Sequence, residues 1–267
     1  MQHRHLDRHQ YFNEQSECTR EFIIPFIMRG IKRFNHSKPA LRVGSRILEV
    51  GCGDGGNLMP FLELGYECYG VELCEGIYQR ALKFYNGDTV TSCLHLFNND
   101  IYKVTPQELK GTFDIIFLRD VLEHIPNQDK LMQHLKQFLS PCGVLFLAFP
   151  PWRMPFGGHQ QVCKNWFLSK LPYFHILPAK IYEKILRMGG ENPQGLLKIK
   201  ETGISINRFE KIVRKEQYEV ITKTYWLINP NYKIKFALKP RKLSKIFQIP
   251  FLQDFYITTT YYLLKLR

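Results

Sequence analysis

Apolar residues in this chain come in short bursts separated by longer amphipathic runs, and the spacing changes along the chain. Between residues 46 and 149 the bursts are five or six residues long and three of the five give way to a run with helical periodicity, the alternation that builds a parallel sheet with helices on both faces. The predicted strands are 46–50, 67–71, 92–97, 113–118 and 144–149, the last opened by a Pro-Cys-Gly turn and closed by Pro150-Pro151. Helices are predicted over 57–64 and 76–84, and from 122 or 128 to 139. Ahead of these units, residues 10–30 read as a helix with Phe12, Phe22, Ile23, Phe26 and Ile27 on one side, either a lid over the following loop or a cover for the sheet edge. A polar stretch with Pro39 links it to the first strand.

Beyond Pro151 the pattern loosens into an aromatic, proline-punctuated stretch reaching Gly203. Ser205 then suits an N-cap for a helix over 206–215, and strands are predicted at 219–227 and 255–264. The expected fold is α/β, with a seven-stranded, mostly parallel sheet whose last strand returns antiparallel as part of an edge hairpin. The expected divisions are a helical lid or linker (1–44), a ligand-binding core (45–150), a recognition insertion (151–204) and a C-terminal completion of the core (205–267).

Composition changes this picture in two respects. Of the formal net charge of +13, the stretch from Lys180 onward carries 13 Lys and 5 Arg against 6 Glu and 1 Asp, a net +11. Such a face suits an anionic substrate or membrane surface as well as it suits simple solvation. Lys233, Lys235, Lys239, Arg241, Lys242 and Lys245 make the 233–245 segment the candidate for peripheral contact with a membrane. The seven cysteines form no Cys-x-x-Cys pair and are expected to be reduced. With a polar N-terminal segment and no apolar run of membrane-spanning length, the expected location is cytoplasmic, either free or peripheral to the inner face of a membrane.

The chemistry concentrates where the first strand meets Gly51, Gly53, Gly55 and Gly56. A strand running into such a cluster and then a helix presents bare backbone N–H groups to a nucleotide-like ligand. The spacing Gly51-x-Gly53-x-x-Gly56 also satisfies the dinucleotide fingerprint. Glu72, 21 positions after Gly51, is placed to accept both hydroxyls of an adenosine ribose, which fits either cofactor.

Three landmarks together resemble the class I S-adenosylmethionine-dependent methyltransferases, of the methyltransferase type 11 or quinone-biosynthesis kind, over roughly residues 45–150. These are Glu49 two positions before the glycine loop, Glu72, and the segment running from Phe113 to Ile125 that contains Arg119-Asp120-Val121-Leu122-Glu123-His124. The resemblance implies a Rossmann-like fold and S-adenosyl-L-methionine as cofactor. It implies cofactor contacts from Glu49, Gly51, Cys52, Gly53, Asp54, Gly55, Glu72, Leu73, Asp100, Ile101, Arg119 and Asp120. Within it Glu49 suits the ligand's positive charges, Asp100 the adenine amino group with Ile101 against the ring, and residues 118–121 the methionine part. Asp120, Glu123 and His124 also resemble a segment of quinone-biosynthesis O-methyltransferases in which a divalent metal can hold a phenolate; the same residues suit a plain helix start.

Methyl transfer to a hydroxyl benefits from a general base, and the candidates near the expected mouth are His159 and His124. Trp152, Phe156, Trp166, Phe167, Tyr173 and Phe174 can line an apolar or sugar-stacking pocket or simply be core. The expected reaction is O-methylation of a small-molecule, glycan-linked or lipid-linked hydroxyl. The alternatives are methylation of RNA or protein across the basic face, and cofactor binding without catalysis. Arg119-Asp-Val-Leu stands where base-methylating enzymes carry an Asn-Pro-Pro-Tyr or Asp-Pro-Pro-Tyr tetrapeptide, which disfavours a nucleic-acid partner.

Overall fold

A computed structural model describes residues 7–34, 41–86 and 92–267. Its centre is one sheet in the order β3-β2-β1-β4-β5-β8-β6-β7. The strands are β1 (Arg46–Val50), β2 (Glu67–Glu72), β3 (Leu94–Asn98), β4 (Phe113–Arg119), β5 (Leu139–Phe149), β6 (Tyr218–Ile228), β7 (Arg241–Lys242) and β8 (Thr259–Leu266). The first five pair in parallel, and β8 is antiparallel to both of its neighbours.

The sheet has eight strands where seven were expected, and the final strand lies inside it rather than at the edge. The sequence carries the reason: Thr259 to Leu264 is buried at six successive positions, which only a strand covered on both faces and paired on both sides allows. The edge falls to β7, two exposed cationic residues with no apolar signature. Strand β5 begins at Leu139 instead of Val144, because an irregularity opposite Phe113 absorbs the Pro-Cys-Gly turn without breaking the strand.

The N-terminal helical run is two helices, α1 (Arg8–Cys18) and α2 (Ile24–Phe34), joined through a wider turn at Thr19–Ile23. Pro39 of the expected linker lies outside the described residues. After β1 the chain turns into α3 (Met59–Glu63); α4 (Glu75–Phe84) follows β2, and α5 (Gln128–Leu135) follows β4. The insertion holds α6 (Trp166–Lys170), α7 (Ala179–Met188) and α8 (Gln194–Thr202). Then come α9 (Ile206–Lys215), capped by the Ser205 hydroxyl accepting from Arg208 N–H, and α10 (Asn231–Phe236).

Apolar packing covers both faces. On one face Phe26, Ile27 and Phe61 meet Phe117, Phe146 and Tyr261; on the other Leu131, Phe138 and Phe209 meet Leu118, Phe149 and Tyr262. The insertion has its own small cluster around Phe174, Tyr182, Leu186 and Leu196. Every parallel strand ends on the same rim, and β1 and β4 are where the chain reverses its direction of sheet growth, so the ligand crevice of such a sheet opens beside them.

Candidate active site

The loop after β1 is shaped by the elements around it. Gly56 is overlaid by α1: a Cβ there would lie 2.6 Å from the Phe12 carbonyl oxygen. Gly53, by contrast, has a left-handed backbone (φ +57°) and nothing within 4 Å of where a Cβ would stand. Its N–H donates to Glu72 Oε2 at 3.0 Å, and Cys74 N–H donates to Glu72 Oε1 at 2.9 Å. An open cradle over a glycine, rimmed by a buried carboxylate at the end of β2, is what a ribose needs.

Glu49 is 1% exposed. Its Oε1 accepts from Asn57 Nδ2 at 2.6 Å, while Oε2 has no hydrogen-bond partner among the described residues. Burial pushes this carboxyl up to about 8, against the pull of Asn57 and Arg119 and with a push from Glu72. A half-satisfied buried carboxylate beside the cradle fits a ligand that brings positive charge.

Asn57 ties this carboxylate to the N-terminal helical run. Its Oδ1 accepts from Thr19 Oγ1 at 2.9 Å and from Arg119 Nη1 at 2.8 Å. Arg119 is thereby committed to the face of the sheet that the N-terminal helices cover, within the fold rather than in the open cradle. Asp54 is likewise turned into the fold, fully buried and paired with Arg8 of α1 and, at 3.1 Å, with Arg80 of α4. Cys52 is buried and Leu73 is exposed at the crevice rim. Asp100 caps a short turn by accepting from Tyr102 N–H, with Ile101 buried behind it.

Past β4 the chain enters Asp120 with a left-handed backbone (φ +55°), an unfavourable conformation for a non-glycine residue that turns the exposed carboxylate off the strand end. Tyr11 of α1 and Tyr232 of α10 both feel its charge: burial first, and Asp120 next, raise their phenol groups. Glu123 is buried, with neither carboxylate oxygen hydrogen-bonded among the described residues, and burial followed by Asp120 raises it well above the usual range. His124 and His159, 35 positions apart in sequence, meet edge to face with ring centroids 4.9 Å apart. Burial lowers both imidazoles; His159, also opposed by His124 and His175, falls to about 4, whereas Asp120 partly restores His124. One ligand atom each from Glu123, His124 and His159 lies within 4.8 Å of the others. Asp120, which the sequence resemblance grouped with Glu123 and His124 as one of two readings, is outside this cluster, and His159 stands in it instead.

The aromatic residues of the insertion do not converge. Phe174 is core, Trp166 and Phe167 are exposed on α6, and Trp152 packs against Gly203 and the buried His175. Sequence reasoning passed over Tyr11, Asn57 and Tyr232, of which only Asn57, a polar residue directly after the glycine loop, left a local sign.

A family profile described as a methyltransferase domain matches residues 19–195. The chain belongs to that family. Its cofactor is S-adenosyl-L-methionine, and in this methyltransferase the open glycine cradle, Glu72 and the half-satisfied Glu49 stand together at the end of β1 and β2. Phosphoethanolamine N-methyltransferase 2 of Caenorhabditis elegans is 27% identical over 153 residues, 54% of this chain and 33% of that one. The ubiquinone biosynthesis O-methyltransferase of Glaesserella parasuis is 26% identical over 199 residues, 71% of this chain and 77% of that one. The chain thus matches only a third of the nematode relative's length. Among solved structures, Haemonchus contortus phosphoethanolamine N-methyltransferase 2, in complex with S-adenosyl-L-methionine, superposes with a TM-score of 0.53 at 16% identity, covering 89% of this chain and 52% of the other. At that identity the likeness speaks for the shared fold.

Proposed function

We propose that this methyltransferase transfers the S-adenosylmethionine methyl group to a hydroxyl of a small, glycan-linked or lipid-linked acceptor. The observation that carries the reading is the meeting of His124 and His159 at the mouth, two imidazoles that burial keeps neutral at physiological pH. A hydroxyl, unlike an amine, must lose its proton as it attacks. The acceptor oxygen attacks the methyl carbon in line with the carbon–sulfur bond, the bonding pair leaves with sulfur as a thioether, and the proton passes to an imidazole. Positioning by the cradle supplies most of the acceleration. His124 is the better base, since Asp120 supports its protonated form while His159 is held down at about 4 and orients it edge to face. The relatives named O-methyltransferases lend support, and the N-methyltransferase relative names the competing outcome.

The test is single-turnover transfer from labelled cofactor to a panel of phenols, sugars and phosphoethanolamine, with the methylated atom located by mass spectrometry. We expect label on oxygen and a loss in His124→Ala of on the order of 100-fold or more. Label on nitrogen, or an unaffected His124→Ala, would overturn the reading.

A second reading has one observation behind it, the buried Glu123 carboxylate, without a hydrogen bond among the described residues and 3.9 Å from His124 Nε2, beside both imidazoles. Glu123, His124 and His159 have the donor types for a divalent cation, which would polarise an acceptor hydroxyl. Calorimetric titration of the protein with Mg²⁺ and Zn²⁺, compared with Glu123→Gln, reads this independently of turnover.

A further inference from the structure

The connection between β7 and β8 is unusual in what it exposes. Ile246 is 78%, Phe251 64% and Phe247 56% exposed, and Ile249, Leu252 and Phe255 stand out beside them. Scattered apolar residues on a surface need no explanation, but six within ten positions do. Just before them come Lys239, Arg241, Lys242 and Lys245, none in an ion pair among the described residues, and from Val220 to Gln253 the sequence holds no acidic residue at all.

The register of β8 places this loop. Thr260 pairs with Phe149 at the end of β5 and with Tyr225 near the end of β6, so the residues before Thr259 lie beyond the C-terminal ends of the parallel strands. That is the rim on which Gly53, Glu72 and Asp120 stand. The apolar surface continues toward the mouth: Phe255 joins Tyr173, Ile176, Leu177 and Pro178 around an open recess of about 520 Å³. Tyr173 O–H donates to the Phe255 carbonyl at 2.9 Å, and Tyr173 N–H donates to the carbonyl of Pro155, in the loop that carries His159.

We propose that this surface docks the protein on an anionic lipid bilayer, with Ile246, Phe247, Phe251 and Leu252 in the headgroup layer, the neighbouring cations on the lipid phosphates, and the site mouth turned toward the membrane. Exposed aliphatic tips beside unpaired cations are the composition of an interfacial anchor. A second copy of the chain fits poorly, because a two-fold contact would bring this acid-free patch against itself. An RNA could stack on Phe247 and Phe251 but would gain nothing from Ile246, Ile249 and Leu252, which offer it no stacking face. The inference rests on the acceptor reading above only for its substrate class, a hydroxyl carried by a membrane lipid, which the docked mouth would meet directly.

The test is co-sedimentation of the full chain with vesicles of phosphatidylcholine alone or mixed with phosphatidylglycerol, at low and high salt. Binding is expected to the mixed vesicles and to weaken with salt, by roughly fivefold for each of Lys239, Arg241, Lys242 and Lys245 changed to glutamine. Ile246→Asp and Phe251→Asp should each weaken it by on the order of tenfold, with unchanged circular dichroism melting and cofactor titration. No partition, equal partition to neutral vesicles, or indifference to both aspartates would overturn the proposal. So would a dimer seen by light scattering that the aspartates dissociate without any vesicle binding, or retardation of RNA that they abolish. Failure of vesicle binding with methyl transfer to oxygen intact removes the docking surface alone; a methyl group found on nitrogen removes the acceptor reading and leaves the vesicle result standing.

Discussion

Cofactor binding should tighten as pH rises through the neutral range, and Glu49 should be the cause. Its carboxyl stands at about 8 because it is buried, with one oxygen held by Asn57 and the other unpartnered. In the empty site at pH 6 only about one Glu49 in a hundred is ionised, and at pH 7 about one in ten. The sulfonium and ammonium of S-adenosylmethionine favour the ionised form, so binding must expel the proton from the remainder. The sign follows from that release: affinity rises about tenfold per pH unit below pH 7 and flattens near 8, and close to 0.9 proton should leave per ligand at pH 7. Isothermal titration in buffers of different ionisation enthalpy reads both the slope and the proton count. Working at or below about pH 7 keeps most of the ligand's own ammonium charged. Glu49→Gln should bind more weakly with neither slope nor proton release. Equal affinity at about pH 6 and 7 in the parent protein, or proton uptake, would refute the placement of the cationic end at Glu49.

Other consequences are equally open to measurement. Glu72→Ala should weaken cofactor binding by roughly 10- to 100-fold, since a charged acceptor for two hydroxyls is lost, whereas His159→Ala should leave it within about twofold; equal losses would put the ribose elsewhere. Asn57→Leu removes the acceptor of Thr19 and Arg119 and the donor to Glu49, and by leaving the buried guanidinium only its longer contacts with the Gln15 carbonyl at 3.5 Å and Asp120 at 3.7 Å should cost about 3 kcal/mol in urea unfolding; a loss under about 1 kcal/mol would show the network to be dispensable. The buried His175 donates from Nε2 to the Trp152 carbonyl and is held neutral by burial, its pKa near 4. Unfolded, it takes a proton near pH 6.5, so between 6.5 and 4 the unfolded chain binds more protons and stability falls as pH drops, by up to about 3 kcal/mol from this one group. His175→Gln should flatten that part of the stability–pH curve measured by denaturant titration, and an unchanged slope would contradict the argument.

What could be read from the sequence was whatever depends on neighbours in the chain. The first five strands announce themselves as short apolar runs, and three of them, β1, β2 and β4, are followed by a helix; the glycine loop and Glu72 are fixed by a single strand–turn–helix unit each. Ser205 caps its helix with a bond three residues long. What stayed hidden depends on partners far apart. His159 meets His124 only because the loops after β4 and β5 leave adjacent strands, and no spacing rule links positions 35 residues apart. Asp54 reads as part of a ligand loop until Arg8 and Arg80 claim its carboxylate from two helices. The insertion's aromatics suggested a pocket because sequence cannot tell Phe174, in a small separate core, from Trp166 on an exposed helix.

The position of β8 between β5 and β6 has a consequence for the order in which the protein can be made. On the ribosome, β1 to β5 emerge in sequence and can begin to assemble, each new strand finding a neighbour already present. Strand β6 emerges next and has none: its pairing surface is β8, still some thirty residues behind it on the nascent chain. Until β8 slides in, both β5 and β6 present open backbone edges, the kind that pair wrongly with other chains. Expression yield should therefore respond more sharply to weakening β8, through Tyr262 for instance, than to equal weakening of β3 at the far edge, and slower elongation should offer no relief.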